Sequence, residues 1–320
     1  MPRLLPVALL LLAPFSLAAG IMAGSAEFSP SQIAAALGGQ SASPAYDIVW
    51  QLRLPRVLAA FACGGLLALT GVLLQVLLRN PLADPYILGV SGGAAAGSLG
   101  AMLFGLSLAW IDMAALAGAA TAIGLVFALS FGRGGWSMHH LLLTCVVLSA
   151  GFGALISLML TLAPTTEVRG MLFWLMGDLS QAQAPGLAWS ALLAAAAAAF
   201  WQAPSLNVLG LGELKAKSLG VALLPLQIGI YLVASTAAAV AVLEGGSIGF
   251  VGLIVPHLLR LAGASDHRWL VPLSALAGGS FLTLADTLAR TAAAPLQLPV
   301  GVLTALLGVP LLLTLLARNR

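Results

Sequence analysis

Residues 53–97 read RLPRVLAAFACGGLLALTGVLLQVLLRNPLADPYILGVSGGAAAG, and no other stretch restricts the fold as much. Two arginines flank Pro55 and precede a long apolar run. A polar turn from Arg79 to Pro85 ends that run, and a second run opens on closely spaced glycines. At 1.5 Å per residue, a helix of about twenty apolar residues crosses the hydrocarbon of a bilayer. The turn therefore belongs at one membrane face and the Arg53/Arg56 pair at the other. Composition excludes a water-soluble globule: 61% of the residues are hydrophobic and only 7% charged, too few polar side chains to cover a surface. It also gives no sign of a nucleic-acid partner, because there is no basic face with interleaved aromatics. Cys63 and Cys145 both fall inside apolar runs and read as buried small residues rather than as a disulfide or metal pair.

Ten apolar runs follow one another, at roughly 4–23, 57–78, 87–106, 113–131, 141–163, 187–203, 223–243, 247–262, 270–288 and 299–317. They predict an all-α polytopic membrane protein of about ten spans. The first run follows Arg3 and has the make-up of a cleavable leader, but its length favours a retained span. Residues 25–51 then lie outside, with Ser29-Pro30 as a helix start. The 247–262 run is the weakest, short and interrupted by Pro256, so it is a broken or tilted element or a sign that the count is nine. An even count puts both termini on one side. With that side cytoplasmic, nine basic residues flank the inner face (Arg3, Arg79, Arg133, Lys215, Lys217, Arg260, Arg268, Arg318 and Arg320) and four the outer (Arg53, Arg56, Arg169 and Arg290). That bias fits the positive-inside rule.

Within this frame several features admit two readings. Gly89, Gly93, Gly97 and Ala101 form a small-residue stripe, with Gly245 and Gly249 a shorter one; such a stripe suits ordinary bundle packing or contact with a moving helix. His139, His140, His257 and His267 lie near cytoplasmic edges, where a structural role outweighs metal or haem ligation. Glu167, Arg169, Trp174 and Asp178 mark an outer amphipathic segment at the headgroups or at the mouth of a pathway. Residues 71–79 and 252–260 share a glycine, a leucine pair and an arginine in register, either a repeat or coincidence. LGELKAKSLG (211–220), bounded by glycines, is the longest polar insertion on the cytoplasmic side and suits a short helix lying on the membrane face.

Several longer strings occur in order: RLPR, then Gln75 with RNPLADP, LGVSGGA, LGELKAKSLG, GFVGLIVPHLLRLAGASDHR (249–268), ADTLAR (285–290) and LPVGVLTALLGVP (298–310). Together they resemble the FecCD-type permeases, the membrane subunits of ATP-driven importers of iron-siderophores, haem and cobalamin. The resemblance implies a single permease domain over 1–320 in a bacterial inner membrane. It implies a second copy of the chain, two ATPase subunits that bind ATP and magnesium, and a periplasmic substrate-binding protein as partners. It makes 204–222 the loop that couples to the ATPase, with Gly212, Glu213, Lys215, Ala216, Lys217, Leu219 and Gly220 at its centre. It makes Arg53, Arg56 and Arg290 exposed outer charges that dock the binding protein, against the plainer reading of arginines anchoring span ends. Asp286, four residues before Arg290, would preset it. It also runs the translocation path between two copies along the fifth and tenth spans, which here carry Thr144, Ser149, Ser157, Thr161 and Thr304. Gln297 stands where the family pattern leads one to expect glutamate.

The sequence contains no Gly-x4-Gly-Lys-Ser/Thr, and its two lysines, Lys215 and Lys217, both lie in the coupling loop. The chain therefore lacks the usual phosphate-cradling loop, and an ATP motor would be a separate polypeptide. No cofactor or metal is expected in the chain itself. The competing class is an ion-coupled secondary transporter, which would place acids at mid-membrane depth; Asp112 and Asp286 sit near predicted span ends instead. An intramembrane enzyme would need a nucleophile with its base, or a metal-ligand set, within the spans, and neither pattern occurs.

Overall fold

The computed structural model describes residues 4–318 apart from 25, 27, 40–42, 133–134, 137 and 183–184. Of the basic residues that set the expected orientation, Arg3, Arg133 and Arg320 lie outside the described residues. Among the described residues the regular structure is helical, except for a two-stranded ladder that pairs Phe131–Gly132 with Gly135–Trp136. After α1 (Leu4–Met22), Ser29 starts α2 (Pro30–Leu37) as expected: its hydroxyl accepts the Gln32 N–H, and the Gln32 side chain accepts the Ser29 N–H at 2.8 Å. This reciprocal cap satisfies two orphan donors. Next come α3 (Pro44–Asp47) and a wide turn, Ile48–Arg53, of π-helical hydrogen bonding, which runs straight into α4 (Leu54–Leu77). The wide turn sits just ahead of Pro55, which has no N–H to give to the ladder. The remaining helices are α5 (Val90–Leu103), α6 (Leu108–Ser130), α7 (Met138–Leu162), α8 (Thr165–Met176), α9 (Gly186–Trp201), α10 (Ala203–Leu209), α11 (Glu213–Ser218), α12 (Leu223–Gly245), α13 (Val251–Leu261), α14 (His267–Thr291) and α15 (Val300–Arg318).

Each of the ten expected runs holds a helix. Among the described residues, six are long and apolar enough to cross a membrane: α1, the continuous α3–α4 rod, α6, α7, α12 and α14. α9 and α10 form a seventh only if their 63° bend is kept within one span, and α5, α13 and α15 are shorter. The 247–262 run departs most from a full span. α13 has 11 residues, about 16 Å of helix, where the hydrocarbon is about 30 Å thick. Its residues 251–256 are buried by neighbours, which is how a short, proline-bearing segment is tolerated at membrane depth.

The helices are arranged around α4, which is buried along nearly its whole length. α14, α12, α13 and α9 surround it. Two backbone-to-backbone contacts set the closeness: a Cβ on Gly64 would run into the Gly278 carbonyl, and one on Gly71 into the Gly252 carbonyl. Small residues permit such approaches where hydrophobic force alone cannot hold helices together. The two segments that echo each other in sequence thus meet face to face. Between them the Gln75 amide donates to the Gly252 and Leu253 carbonyls at 3.3 Å, and Arg260 donates to the Gln75 oxygen. On the α5 stripe, Gly93 and Gly97 pack against the α6 backbone at Gly118 and Ala114, so the stripe serves bundle packing. α1 lies along α14 through Leu9, Ala13, Ser16 and Gly20. α7 differs from all of these, with only 11% of its apolar window buried within the chain.

Candidate functional site

At the end of the bundle expected to face outward, four segments converge on one ion cluster. Arg56 lies in the first turn of α4 and grips Asp286 of α14: its Nε donates to Oδ1 at 3.1 Å and Oδ2 at 3.0 Å, and Nη2 to Oδ1 at 2.8 Å. Nη1 donates to the Gln297 Oε1 at 2.9 Å, in the loop before α15, and Nη2 lies 3.9 Å from Asp178, in the loop after α8. Arg290 stands 3.6 Å from the same Asp286 carboxylate and donates to the Gly20 carbonyl at the end of α1. Arg53 donates to the carbonyls of Ile21, Met22 and Ala26, with its guanidinium 5.5 Å from the centre of the Phe28 ring.

These contacts correct the expectation of exposed docking charges. Arg53, Arg56 and Arg290 are 4%, 8% and 5% exposed, and each donates to acceptors within the chain, although the buried Arg290 Nε has no hydrogen-bond partner among the described contacts. The expected pairing of Asp286 with Arg290 is present, but the tighter partner is Arg56, 230 positions away. Sequence alone gave no reason to join Asp178 to this cluster. Gln297 also gains a physical role: its neutral amide oxygen satisfies one edge of Arg56 without adding a third negative charge beside Asp178 and Asp286.

Next to the cluster is an open cavity of about 920 Å³, whose lining includes Asp112, Arg169, Trp174, Asp178, Glu244 and Gln297. The outer segment expected to be amphipathic forms one wall of it as α8. Glu167 and Arg169 are exposed there, and the Arg169 guanidinium stands 5.7 Å from the centre of the Phe173 ring.

At the opposite end lies the predicted coupling element. α11 is bounded by Gly212 at φ +111° and Gly220 at φ +81°, conformations that an L side chain rarely adopts. Ala216 is buried and anchors the helix, while Lys215 and Lys217 are exposed. Glu213 lies 3.6 Å from Arg79 at the end of α4 and accepts from Gln227 of α12 at 3.4 Å. The apolar side chains that reach solvent are Leu211, Leu214 and Leu219, with Leu214 87% exposed. The sequence reading named Leu219 of these and missed the other two, although their place in LGELKAKSLG was a usable signal. α10 is joined to the start of α14 through Asn207. Its Nδ2 donates to Asp266 at 2.7 Å, and its Oδ1 accepts the His267 backbone N–H at 2.9 Å and lies 2.6 Å from the His267 ring Nδ1. The Asn207 donation, followed by that of the Arg268 N–H, holds the Asp266 carboxyl below the ordinary carboxylate range.

The expected path residues separate into two groups. Ser157 and Thr161 lie on the exposed face of α7, each donating to the carbonyl four residues earlier. Thr304 is fully buried and donates to Gly301, and Ser149 points toward Gly89 inside the chain; neither lines an open surface, because the inward faces of α15 and α7 pack on their own bundle. Thr144 is half-buried. Among the described residues, no group of three His, Cys, Asp or Glu is placed to hold a metal. His267 belongs to the Asn207 junction, and Cys63 and Cys145 are free and buried.

Comparison with known proteins extends these observations over almost the whole chain. The profile of the FecCD transport family matches residues 9–318. The vitamin B12 import system permease protein BtuC of Citrobacter koseri is 39% identical over 281 residues, covering 85% of this chain and 83% of the relative. The hemin transport system permease protein HmuU of Yersinia pestis is 40% identical over 292 residues, with 86% and 85% covered. Among solved structures, an inward-facing metal-chelate type ABC transporter superposes with a TM-score of 0.85 at 33% identity, over 99% of both chains.

Proposed function

The chain belongs to the FecCD transport family, and from that premise we infer that it is the membrane-spanning permease subunit of an ATP-binding-cassette importer. Its cargo on this reading is a bulky metal chelate, an iron-siderophore, haem or cobalamin, carried inward across a bacterial inner membrane by alternating access. The motor is a pair of separate ATPase subunits that bind ATP and magnesium, and a soluble binding protein delivers cargo at the outer face. The observation that carries the reading is the cytoplasmic end. A short helix with a glycine near each boundary exposes Leu214, with Leu211 and Leu219 exposed beside it, and its buried Ala216 and its Glu213 contacts fasten it to the bundle. A rigid, exposed helix with leucines on it and at its flanks suits a partner that pushes on it. Gly212, Glu213, Lys215, Lys217 and Gly220 set its geometry and charge.

Direct docking of the binding protein falls to the exposed outer surface, where Glu167 and Arg169 of α8 stand. Arg53, Arg56 and Arg290 contribute by fixing the outer loops that carry this surface. The test is reconstitution: in liposomes with an ATPase pair inside and the binding protein outside, cargo should accumulate only with ATP. Accumulation by the permease alone, driven by a proton or sodium gradient, would return the chain to the secondary-transporter class.

A second copy supplies what α7 lacks. Its exposed face carries Gly151 and Gly153, at which an added Cβ would meet nothing, followed by Ser157 and Thr161. Such a surface allows close approach of another helix, and hydroxyls among apolar groups bind a passing chelate weakly. Ser157→Cys should therefore form a dimer-sized species with a short thiol cross-linker in native membranes. The two native cysteines, both buried, give little background. A strictly monomeric Ser157→Cys product under those conditions would remove α7 from the dimer axis.

A further inference from the structure

We propose that Asn207 is a positioning residue, the joint through which movement of the cytoplasmic helices α10 and α11 reaches α14 and, along it, the outer ion cluster. The proposal rests on the importer reading above and adds to it a route inside the chain. Only residues 210–212 separate α10 from α11, so a push on Leu214 is delivered to α10 with little slack. α10 is seated by Leu206 and Leu209, both buried, and its one polar grip on the bundle among the described contacts is Asn207. The chemistry fixes the orientation of that amide. The His267 backbone N–H can only donate and the Asp266 carboxylate can only accept, so Oδ1 faces the first and Nδ2 the second. With Oδ1 accepting, the nearby Nδ1 of His267 carries the ring proton, which leaves Nε2 bare; that atom is buried without a partner.

The grip falls on the N-terminal cap of α14. Asp266 is the N-cap of α14 and also accepts the Arg268 N–H at 2.9 Å, so the Asn207 side chain holds the cap itself. The alternative links between the coupling element and the bundle are longer than the 2.7 Å from Asn207 to Asp266: Arg79 to Glu213 at 3.6 Å and Gln227 to Glu213 at 3.4 Å. From the cap, α14 runs 25 residues, about 37 Å at 1.5 Å per residue, and reaches Asp286 and Arg290. Along the way it touches α4 backbone to backbone at Gly278 and Gly64, a contact that resists bending and favours movement as a unit. A displacement at Asn207 thus arrives where Arg56, Asp178 and Gln297 hold the outer loops.

The test uses the complete permease–ATPase complex in nanodiscs, with Glu167→Cys on the exposed face of α8 as reporter. The readout is the change in its labelling rate by a hydrophilic maleimide when ATP and vanadate are added. N207D turns the donor to Asp266 into a second carboxylate oxygen and breaks the joint; D266N keeps an oxygen for Arg268 and for Asn207. Together, the D266N amide can donate to the N207D carboxylate, and the joint is rebuilt with its donor reversed. The expected result is a response about tenfold smaller in N207D, within the ~5–150-fold span of site-to-site coupling, a response close to normal in D266N, and recovery in the pair. Should N207D fail to assemble, N207A carries the same expectation. A full response in N207D or N207A, or no recovery in the pair, overturns the joint alone. An outer end that ignores ATP in the otherwise unmodified complex overturns the importer reading instead.

Discussion

Asp286→Ala should destabilise the permease more than any other single substitution of a polar side chain. The carboxylate is 1% exposed and receives three donations from Arg56, with Arg290 3.6 Å away. Removing it leaves two buried guanidiniums side by side with Asp178, 3.9 Å from Arg56, as the one nearby carboxylate among the described contacts, and breaking a buried pair by removing one partner costs about 3–5 kcal/mol. For comparison, the net worth of the pair against a well-packed apolar replacement is small. R56M with D286L should therefore melt closer to the parent than D286A does, and D286N should fall between. Thermal unfolding of the purified permease in detergent, followed by size-exclusion chromatography, gives the order. A D286A protein that melts with the parent would mean the cluster is solvated, contrary to its burial. The same logic makes a charge reversal at Arg56 a folding defect before it is anything else, since it sets a third carboxylate against Asp286 and Asp178.

The second large effect is on assembly rather than on folding. Leu214 is 87% exposed, so Leu214→Glu removes almost no buried surface, and a surface change of this kind costs the fold within about 0.5 kcal/mol. If the helix fills a groove in the motor, the same substitution places a charge in an apolar contact. Central interface residues lose about 2 kcal/mol or more on truncation, which is roughly a thirtyfold fall in affinity. Uptake should fall in parallel, while the melting temperature of the isolated permease stays put. Co-purification of the ATPase with L214E at parental yield would show that the motor grips another surface.

Those two residues mark the limit of what could be read from the letters. Leu214 lies inside LGELKAKSLG, whose glycine-bounded, exposed helix was visible in advance because its causes are local: no apolar run, glycines at positions of positive φ, lysines and a glutamate between. Ser29-Pro30 was visible for the same reason. Asp286 was visible as a neighbour of Arg290, four residues away on one helix, but not as the partner of Arg56. The three outer arginines were expected to be exposed because the family resemblance made them charges that dock a soluble binding protein. Their acceptors, the α1 carbonyls, Asp286 and Gln297, come from three other parts of the chain. Thr304 and Ser149 were misplaced for a related cause: run length fixes where a span lies but leaves open which face of it looks inward.

By itself the sequence determined the solvent this protein needs and where ten of its apolar helical segments lie. Hydropathy acts over about twenty residues and adds along the chain. Tertiary structure alone decided that α4 sits at the centre, that α13 stops short, that α7 is left uncovered and that Arg56 and Asn207 are junctions. Each of those depends on contacts between segments far apart in the chain, where a glycine that admits a neighbour's backbone, or a carboxylate that meets a guanidinium, has its effect only once the helices are side by side.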